Sequence, residues 1–591
     1  MMSCCPAVAQ REPALAGKAS LLVSWIAVLS LFPLGVAAEE ATAFKITGVV
    51  ISERNGAPVP NCHLTATRSA GGVSPQRQQR QTRSPANEDS PSTDTDIRGH
   101  FSLLVPTDGS WQVYAFGRGF RQQAYDRHED FFSAVVLTPS APTYDLVFRV
   151  EPDSAITGFV MDEAGEGVRN ARMSLRAAEP KTPDLTEGGG SVRAGTTTDD
   201  RGHYEFPGLA PGDYNVGVQA EPWYAAGAQG SRFQRGGGTP ADPLLDVVYP
   251  QAWFPGVTDR RSAEIISLHH GEDRQADFNL TPVPATHLRI SAPSPTAPGA
   301  QRGQVFPSVE RISSDGVPFV NTSVQVDPQG QIDMGGLAPG LYRVTLQGPG
   351  GSQTPSFIRV PSGAPRSLDL SAAIPVANLT LHLQADGDSD RVQVVLTDVD
   401  SDATFVSFGS AGANHSRGNL QRRPQIDATP APGGDRKLEV PPARYRVTLV
   451  GDGELYLSSL LIGNRAVEGR IASLSSGSTT LDLKLARGRA AVRGVASLDG
   501  KPAAGAMVML VPATFGQTGS ITILRRDQAN TDGSFLIENI IPGDYILLAI
   551  DHGWTVNWRD PSTLERFLTH GLPLALQSQA SVKQDLEVQT P

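Results

Sequence analysis

Cysteine is scarce in this 591-residue chain, which carries three, at Cys4, Cys5 and Cys62. Cys4 and Cys5 precede an apolar run that reads as a cleavable leader, so a mature chain would keep Cys62 alone. An intrachain disulfide framework is thereby excluded. Cys62 also falls too far along to be a lipoprotein cysteine, and it reads as a small buried strand residue. Runs with apolar residues at three- and four-residue spacing are missing too, so helices should be minor. Basic charge is in deficit: Lys+Arg number 50 against Asp+Glu 61, a formal net charge of −11. Phosphate neutralisation needs a basic face, so nucleic acid is not an expected partner. The Arg-rich stretch at Arg77, Arg80 and Arg83 sits among Gln, Ser and Pro and reads as a solvated loop. Reaction motifs are lacking as well. No Gly-rich loop runs into Lys-Ser or Lys-Thr, and no Gly-x-Ser-x-Gly lies between a strand and a helix. The stretches Gly188-Gly189-Gly190 and Gly236-Gly237-Gly238 read as loop insertions.

What is present begins with an export signal at 1–38. Arg11 and Lys18 precede an apolar run from Ala19 to Ala38, and Val36-Ala37-Ala38 places small residues before Glu39. A retained anchor is the alternative, because the run approaches the length of a membrane span. No second span is expected in the mature chain. Gly 60 and Pro 46 are spread along the whole length, which suits many short strands joined by tight turns.

A two-part pattern recurs. One copy runs Thr157-Gly158-Phe159-Val160, then Thr198-Asp199-Asp200-Arg201-Gly202-His203-Tyr204, then Ala210-Pro211-Gly212-Asp213-Tyr214. Another runs Arg493-Gly494-Val495, then Thr531-Asp532-Gly533-Ser534-Phe535, then Ile541-Pro542-Gly543-Asp544-Tyr545. The first copy has Thr47-Gly48 and Asp96-Ile97-Arg98-Gly99, with Gly109-Ser110-Trp111 in place of Pro-Gly-x-Tyr. Two partial copies keep Gly330-Gln331-Ile332 with Pro339-Gly340-Leu341-Tyr342, and Pro441-Pro442-Ala443-Arg444-Tyr445. Asp and Gly are turn chemistry, and Pro-Gly predicts a type II-like corner. The Tyr that follows can bury its ring while its hydroxyl reaches a nearby backbone group. The structural turn residues are therefore Asp199, Gly202, Pro211, Gly212, Tyr214, Asp532, Gly533, Pro542, Gly543 and Tyr545.

The expected fold class is all-β: a tandem array of about five transthyretin/Ig-like β-sandwiches. Their expected extents are 44–150 (with a long polar loop at 66–97), 152–285, 286–375, 376–486 and 487–591.

This pattern resembles the carboxypeptidase regulatory-like domain, a transthyretin-like sandwich found beside peptidases, in outer-membrane receptors and in surface proteins. The likeness is carried by 152–285 and 487–588, less fully by 44–150, and least by the middle of the chain. Tyr249-Pro250-Gln251-Ala252-Trp253-Phe254 and the stretch Trp554, Trp558, Arg559-Asp560-Pro561 also look like parts of such domains in large exported bacterial proteins. The resemblance implies a non-catalytic accessory module. Its fold group includes carbohydrate-binding modules, which implies glycans as one ligand class.

His269-His270-Gly271-Glu272 has the His-x-x-Glu spacing of two zinc ligands, with His382 about where a third would fall. The repeat accounts for the same residues as a strand end and a turn, and no metal is expected. Asp386, Asp388 and Asp390, and again Asp398, Asp400 and Asp402, alternate. Calcium can use such oxygens, but solvated turn or edge-strand charge is the simpler reading. The candidate ligand-binding residues are the loop aromatics Trp223, Tyr224, Trp253, Phe254, Trp554 and Trp558, set against the alternative of a packed loop or seam.

The function expected is a non-catalytic exported scaffold for protein or ligand binding or adhesion at the cell envelope. Its site would be the periplasm, the cell surface or the outside, and its partners glycans or envelope proteins. A carbohydrate-binding protein using the loop aromatics is the alternative, and a divergent zinc carboxypeptidase or hydrolase stands behind it. No cofactor is expected.

Overall fold

Strands with one wet and one dry face dominate the chain. His100–Val105 alternates exposed and buried residues without a break, as does Ser154–Met161 at a lower contrast. That two-residue period places one face of each strand on a core. The computed structural model describes residues 44–591 except 70–89, 179–191, 226–233, 236–243, 292–305, 313–322, 327–330, 349–350, 353–354, 386–388, 390–391, 402, 408–428, 431–434, 451–454, 468, 516–521 and 559. The leader at 1–38, Arg77, Arg80, Arg83, Gly188 to Gly190, Gly236 to Gly238, Gly330, Asp386, Asp388, Asp390, Asp402 and Arg559 lie outside the described residues.

The strands assemble into five pairs of sheets, following one another along the chain, with one extra two-stranded ribbon. The fold is a tandem array of β-sandwiches. In each, the first strand is the hub. Phe44–Ser52 runs antiparallel to His100–Val105 and parallel to Thr143–Val150, the last strand of its sandwich. Ala377–Ala385 repeats this between Arg436–Val440 and Gly477–Ala486, in register over nine parallel pairs. In the second sandwich Ser154–Met161 pairs with His203–Leu209 and, in parallel, with Asp273–Gln275 and Phe278–Asn279. Ala490–Leu498 does the same with Ser534–Ile540, Ser581–Lys583 and Leu586–Glu587. The third sandwich uses Thr286–Ser291 with Gln331–Leu337 and Ser367–Asp369.

The close approach of the parallel closing strand explains the Gly of the first strand. A Cβ on Gly158 would lie 2.2 Å from the Ala276 carbonyl oxygen, and one on Gly494 would lie 1.9 Å from that of Gln584. Between the two parallel segments, Asp277 Oδ1 accepts from Phe159 N and Asp585 Oδ1 from Val495 N, each at 2.9 Å. A side-chain carboxylate thus replaces the missing ladder bond.

The Pro-Gly corner differs from the type II-like turn expected. Gly212 and Gly543 have φ of 150° and 157°, not the value near +80° of a type II turn. The reason is topological. His203–Leu209 belongs to one sheet and Gly212–Gln219 to the other, so the corner arches across the core instead of folding back within one sheet. Ser534–Ile540 and Gly543–Ile550 are related in the same way.

One aromatic pins each arch. Tyr214, Tyr342 and Tyr445 donate through Oη to the carbonyls of Ala210, Ala338 and Pro441, each at 2.7 Å and four residues upstream. Tyr545 donates to Ile541 at 2.6 Å. In the first sandwich, Trp111 Nε1 takes the same role toward Thr107 at 3.1 Å. Indole and phenol differ in chemistry, yet each is a buried ring with one donor at its tip. The two middle sandwiches, whose motifs are weakest in sequence, keep this bond.

The cores remain largely separate, one cluster per sandwich, although Ile312, Leu341 and Phe357 of the third join the cluster of the fourth. The α-helix Pro561–Leu568 starts at Asp560, whose Oδ1 accepts from Ser562 N at 3.0 Å. Its Leu564 and Phe567 cover Met507, Met509 and Val511. The strand Met507–Pro512 is buried at every position because its other face, through Val508 and Leu510, lines the sandwich core.

Candidate functional site

The loop aromatics separate into three groups. Trp223 is 63% exposed, with its ring edge-on to Tyr224 at 5.8 Å. Tyr224 and Tyr249 both donate to the carboxylate of Glu163, Tyr249 at 2.9 Å to Oε2. Burial and the Glu163 carboxylate together push the Tyr224 hydroxyl up to about 12. Burial works against Glu163, but hydrogen bonds from Tyr224 and Tyr249 leave its carboxyl below the ordinary value. This group fixes the 222–225 turn onto the second sandwich and leaves the Trp223 ring in solvent.

Trp253 and Phe254 form the second group, and they face inward. Trp253 is 3% exposed and lies over Gly217, where a Cβ would meet its ring at 2.8 Å. Phe254 is half-buried, edge-on to Phe278 at 6.0 Å. Both rings pack inward on the second sandwich rather than standing out as an exposed loop platform, and Trp253 also lines a cleft there.

Trp554 and Trp558 form the third group, at a junction that the sequence does not announce. Arg526 lies with its Cζ 3.9 Å from the Trp558 ring centre, 5.6 Å from that of Trp554 and 5.1 Å from that of Phe131. His128 stacks on Trp554 at 5.3 Å, with planes 10° apart. Trp558 is 2% exposed, and Trp554 Nε1 donates to Gly505 O at 2.9 Å. These tryptophans therefore serve packing, against the expectation of ligand contact. His128 and Phe131 belong to the first sandwich and Arg526, Trp554 and Trp558 to the last.

This junction is a polar clasp. Arg526 Nη1 and Nη2 donate to the two carboxylate oxygens of Glu129 at 3.2 and 2.7 Å. Such a fork on a carboxylate combines charge with fixed geometry. Ser133 Oγ donates to Ala529 O at 2.8 Å, and Gln528 Nε2 reaches Asp126 Oδ2 and Ser133 Oγ at 3.0 Å each. Main-chain amides continue it: Thr531 N donates to Ala134 O at 3.1 Å, and Ala134 N to the side-chain Oδ1 of Asn530 at 2.9 Å. Val136 N donates to Thr531 Oγ1 at 2.9 Å. Asp126 and Glu129 hold φ of 52° and 53°, uncommon for non-Gly residues, so the 126–131 loop is shaped to meet its partner.

The Asp turns show what the clasp changes. Asp199 Oδ1 accepts from Arg201 N and His203 N at 2.9 and 2.8 Å, and these bonds hold its carboxyl below the ordinary value. Asp96 does the same toward Arg98 and His100. In the last sandwich the matching main-chain position is Asn530, where Asn530 N bonds Ser534 O as Asp199 N bonds His203 O. Its side-chain oxygen is spent on the first sandwich instead. Asp532 supplies the local cap, to Ser534 N at 3.0 Å. Gly202 and Gly533, both at φ 78°, complete the two turns.

The residues with metal-ligand spacing do not converge. His269 Nδ1 and the His269 amide both bond Glu272 Oε2, at 2.8 and 2.9 Å, closing a turn. His382 Nδ1 bonds Asp435 Oδ1 at 2.6 Å, in the fourth sandwich. Asp398 caps its own turn through Asp400 N at 2.8 Å, and Asp400 pairs with Arg444 at 3.0 Å. Among the described residues, no group of three or more His, Cys, Asp or Glu is placed to hold a metal. Cys62 is buried, and burial pushes its thiol up to about 11.

Among solved structures, the Bacillus anthracis TIE protein aligns over 90% of this chain and 68% of its own, at 10% identity and a TM-score of 0.14. The minor pilin GBS52 of Streptococcus agalactiae aligns over 44% of this chain and 100% of its own, at 12% identity and a TM-score of 0.20. The shaft pilin SpaA of Lactobacillus rhamnosus GG aligns over 41% and 97%, at 9% identity and a TM-score of 0.19. Scores this low carry no inference about function. No curated protein matches the chain. One stretch of the second sandwich, residues 155–244, matches the family model of the carboxypeptidase regulatory-like domain.

Proposed function

We propose that this chain is an exported, non-catalytic scaffold that binds a ligand or partner at the cell envelope. The clasp between the first and last sandwiches carries the reading. Sandwiches joined end to end by short tethers would otherwise sample many arrangements. Between Val150 and Ser154, and between Ala486 and Ala490, only three residues intervene. Short tethers plus a closed end leave little freedom, and pre-ordering of this kind lowers the entropy cost of binding. The tandem accessory-type domain and the leader-like 1–38 segment support export. Among the described residues, no helix is long and apolar enough to cross a membrane.

The test begins with cell fractionation and N-terminal sequencing of the purified protein, expected to start at Glu39. Immobilised protein is then exposed to isolated cell envelopes and to a glycan array. Retention of an envelope component without turnover of it supports the reading. A mature chain found in the cytoplasm, or hydrolysis of the captured component, overturns it. Glycan binding at Trp223 is a second reading, favoured by that exposed ring, and Trp223→Ala should then abolish the array signal.

A further inference from the structure

The second, third and fourth sandwiches meet around a cleft of about 390 Å³. That lies within the size range of small-ligand sites. Its charge runs against the rest of the molecule. Arg260, Arg261, Arg311 and Arg359 line it, against the carboxylates Asp259 and Asp400, in a chain whose net charge is −11.

The carboxylates are already committed. Asp259 Oδ1 accepts from Arg261 N at 3.0 Å, and Asp400 pairs with Arg444 at 3.0 Å and with Arg261 at 3.9 Å. Arg261 also donates to Val399 O, and Arg311 Nη2 to Pro339 O at 3.0 Å. These two arginines tie the walls together with part of their donor capacity. Arg359 is exposed and is ion-paired to no carboxylate among the described residues. A guanidinium offers five donors, so each of the three keeps donors to offer a guest. Hydroxyls join them at the rim, from the exposed Thr258 and Ser362.

We infer that this cleft binds an acidic oligosaccharide, with Arg359 and Arg311 taking a uronate carboxylate and the hydroxyl-bearing rim taking the ring hydroxyls. The inference rests on the scaffold reading and gives its ligand a chemical class. Planar guanidinium groups match a carboxylate in two-point geometry. A neutral sugar would leave the excess positive charge uncompensated. A greasy guest would leave the arginines desolvated and unpaired, at a cost.

The test is calorimetric titration of the mature chain with trigalacturonate, with its neutral counterpart trigalactose, with a poly-glutamate peptide and with inorganic phosphate. Trigalacturonate should bind, and weaken as salt rises. Arg359→Ala should weaken it by about ten- to hundred-fold, the range for a hydrogen bond to a charged group, and Arg359→Lys by less. Circular dichroism of Arg359→Ala should match the parent, because the side chain is exposed. Equal binding of trigalactose, tighter binding of the peptide or phosphate, or no change with Arg359→Ala overturns the inference while leaving the scaffold intact. Release of galacturonate monomers during the titration would instead overturn the scaffold reading.

Discussion

Ser133 Oγ lies 2.8 Å from the carbonyl oxygen of Ala529, a residue 396 positions further along the chain. That bond, with the Arg526–Glu129 fork beside it, joins the two ends of a row of sandwiches. Arg526 is 8% exposed and Glu129 39%, so the pair is partly shielded from water. Removing one partner of a shielded pair leaves the other charge without compensation, which is costly. Arg526→Glu should break the clasp through like charge against Glu129. Small-angle scattering should then show a larger radius of gyration, while strand content by circular dichroism stays the same. An unchanged scattering profile would mean that the end-to-end contact does not form in solution.

The arch bond offers a stability test in five places. Removing the hydroxyl by Tyr214→Phe, Tyr342→Phe, Tyr445→Phe or Tyr545→Phe leaves the ring and orphans a carbonyl at the arch. Each should cost about 1–2 kcal/mol in the unfolding of its own sandwich. Trp111→Phe removes both a donor and ring area, so its cost should be larger. Denaturant melts of excised single sandwiches would check the ranking. Equal stability of Tyr545→Phe and the parent would show that the bond is incidental.

A half-buried acid sets a pH dependence within the last sandwich. Burial pushes the Asp527 carboxyl up to about 7, against bonds from the Leu536 and Gln528 amides that favour the charged form. Leu536 N donates to Asp527 Oδ2 at 2.7 Å. Folded protein therefore holds a proton that unfolded protein releases near 3.8, so stability falls as pH rises between the two values. Asp527→Asn keeps an acceptor and removes the charge. It should raise the unfolding temperature at pH 8 by about 2–4 °C and leave it little changed at pH 4. A loss of stability at pH 8 would reverse the sign of the argument.

His287 provides the opposite slope. Its Nδ1 lies 2.6 Å from Asp333 and its Nε2 3.0 Å from Asp246, so it stitches the end of the second sandwich to the third. The bond to Asp333, opposed by burial and helped by both carboxylates, holds the imidazole above its ordinary 6.5. Arg289 and Arg366 face the same carboxylates, at 3.4 and 3.5 Å. Stability from this residue is complete below the unfolded value and fades as pH rises through the folded one. NMR titration of the His287 ring should give an apparent pKa above 6.5, and His287→Gln should flatten the melting temperature between pH 6 and 8.

Turn chemistry was the part of this architecture open to reading from sequence, because its physics is local. Asp199 with Gly202, and Pro211 with Gly212 and Tyr214, lie within a few residues of one another, so their spacing is visible. The φ values at Gly212 and Gly543 were not visible, since they depend on which sheet the next strand joins. The helix Pro561–Leu568 has eight residues, too few for a helical period to stand out. Trp554 and Trp558 stand out in the sequence as loop aromatics, but their partners are His128, Phe131 and Arg526, and no sequence spacing links positions so far apart. Gln528 and Asn530 belong to no motif in the sequence, and Thr531 stands only at the edge of one. The one local hint was that Asn530 stands where the second sandwich has Asp199.

The parallel closing strand described for each sandwich has a consequence for how the chain is completed. Phe44–Ser52 cannot acquire its second neighbour until Thr143–Val150 has emerged, and Ala490–Leu498 must wait for Leu586–Glu587. As the chain is synthesised, every unit is therefore left with an open flank until its final few residues arrive. Truncation by one strand at the carboxyl end would leave the fifth unit unfinished. It would also leave the opening unit, synthesised first, without the surface that seals it last.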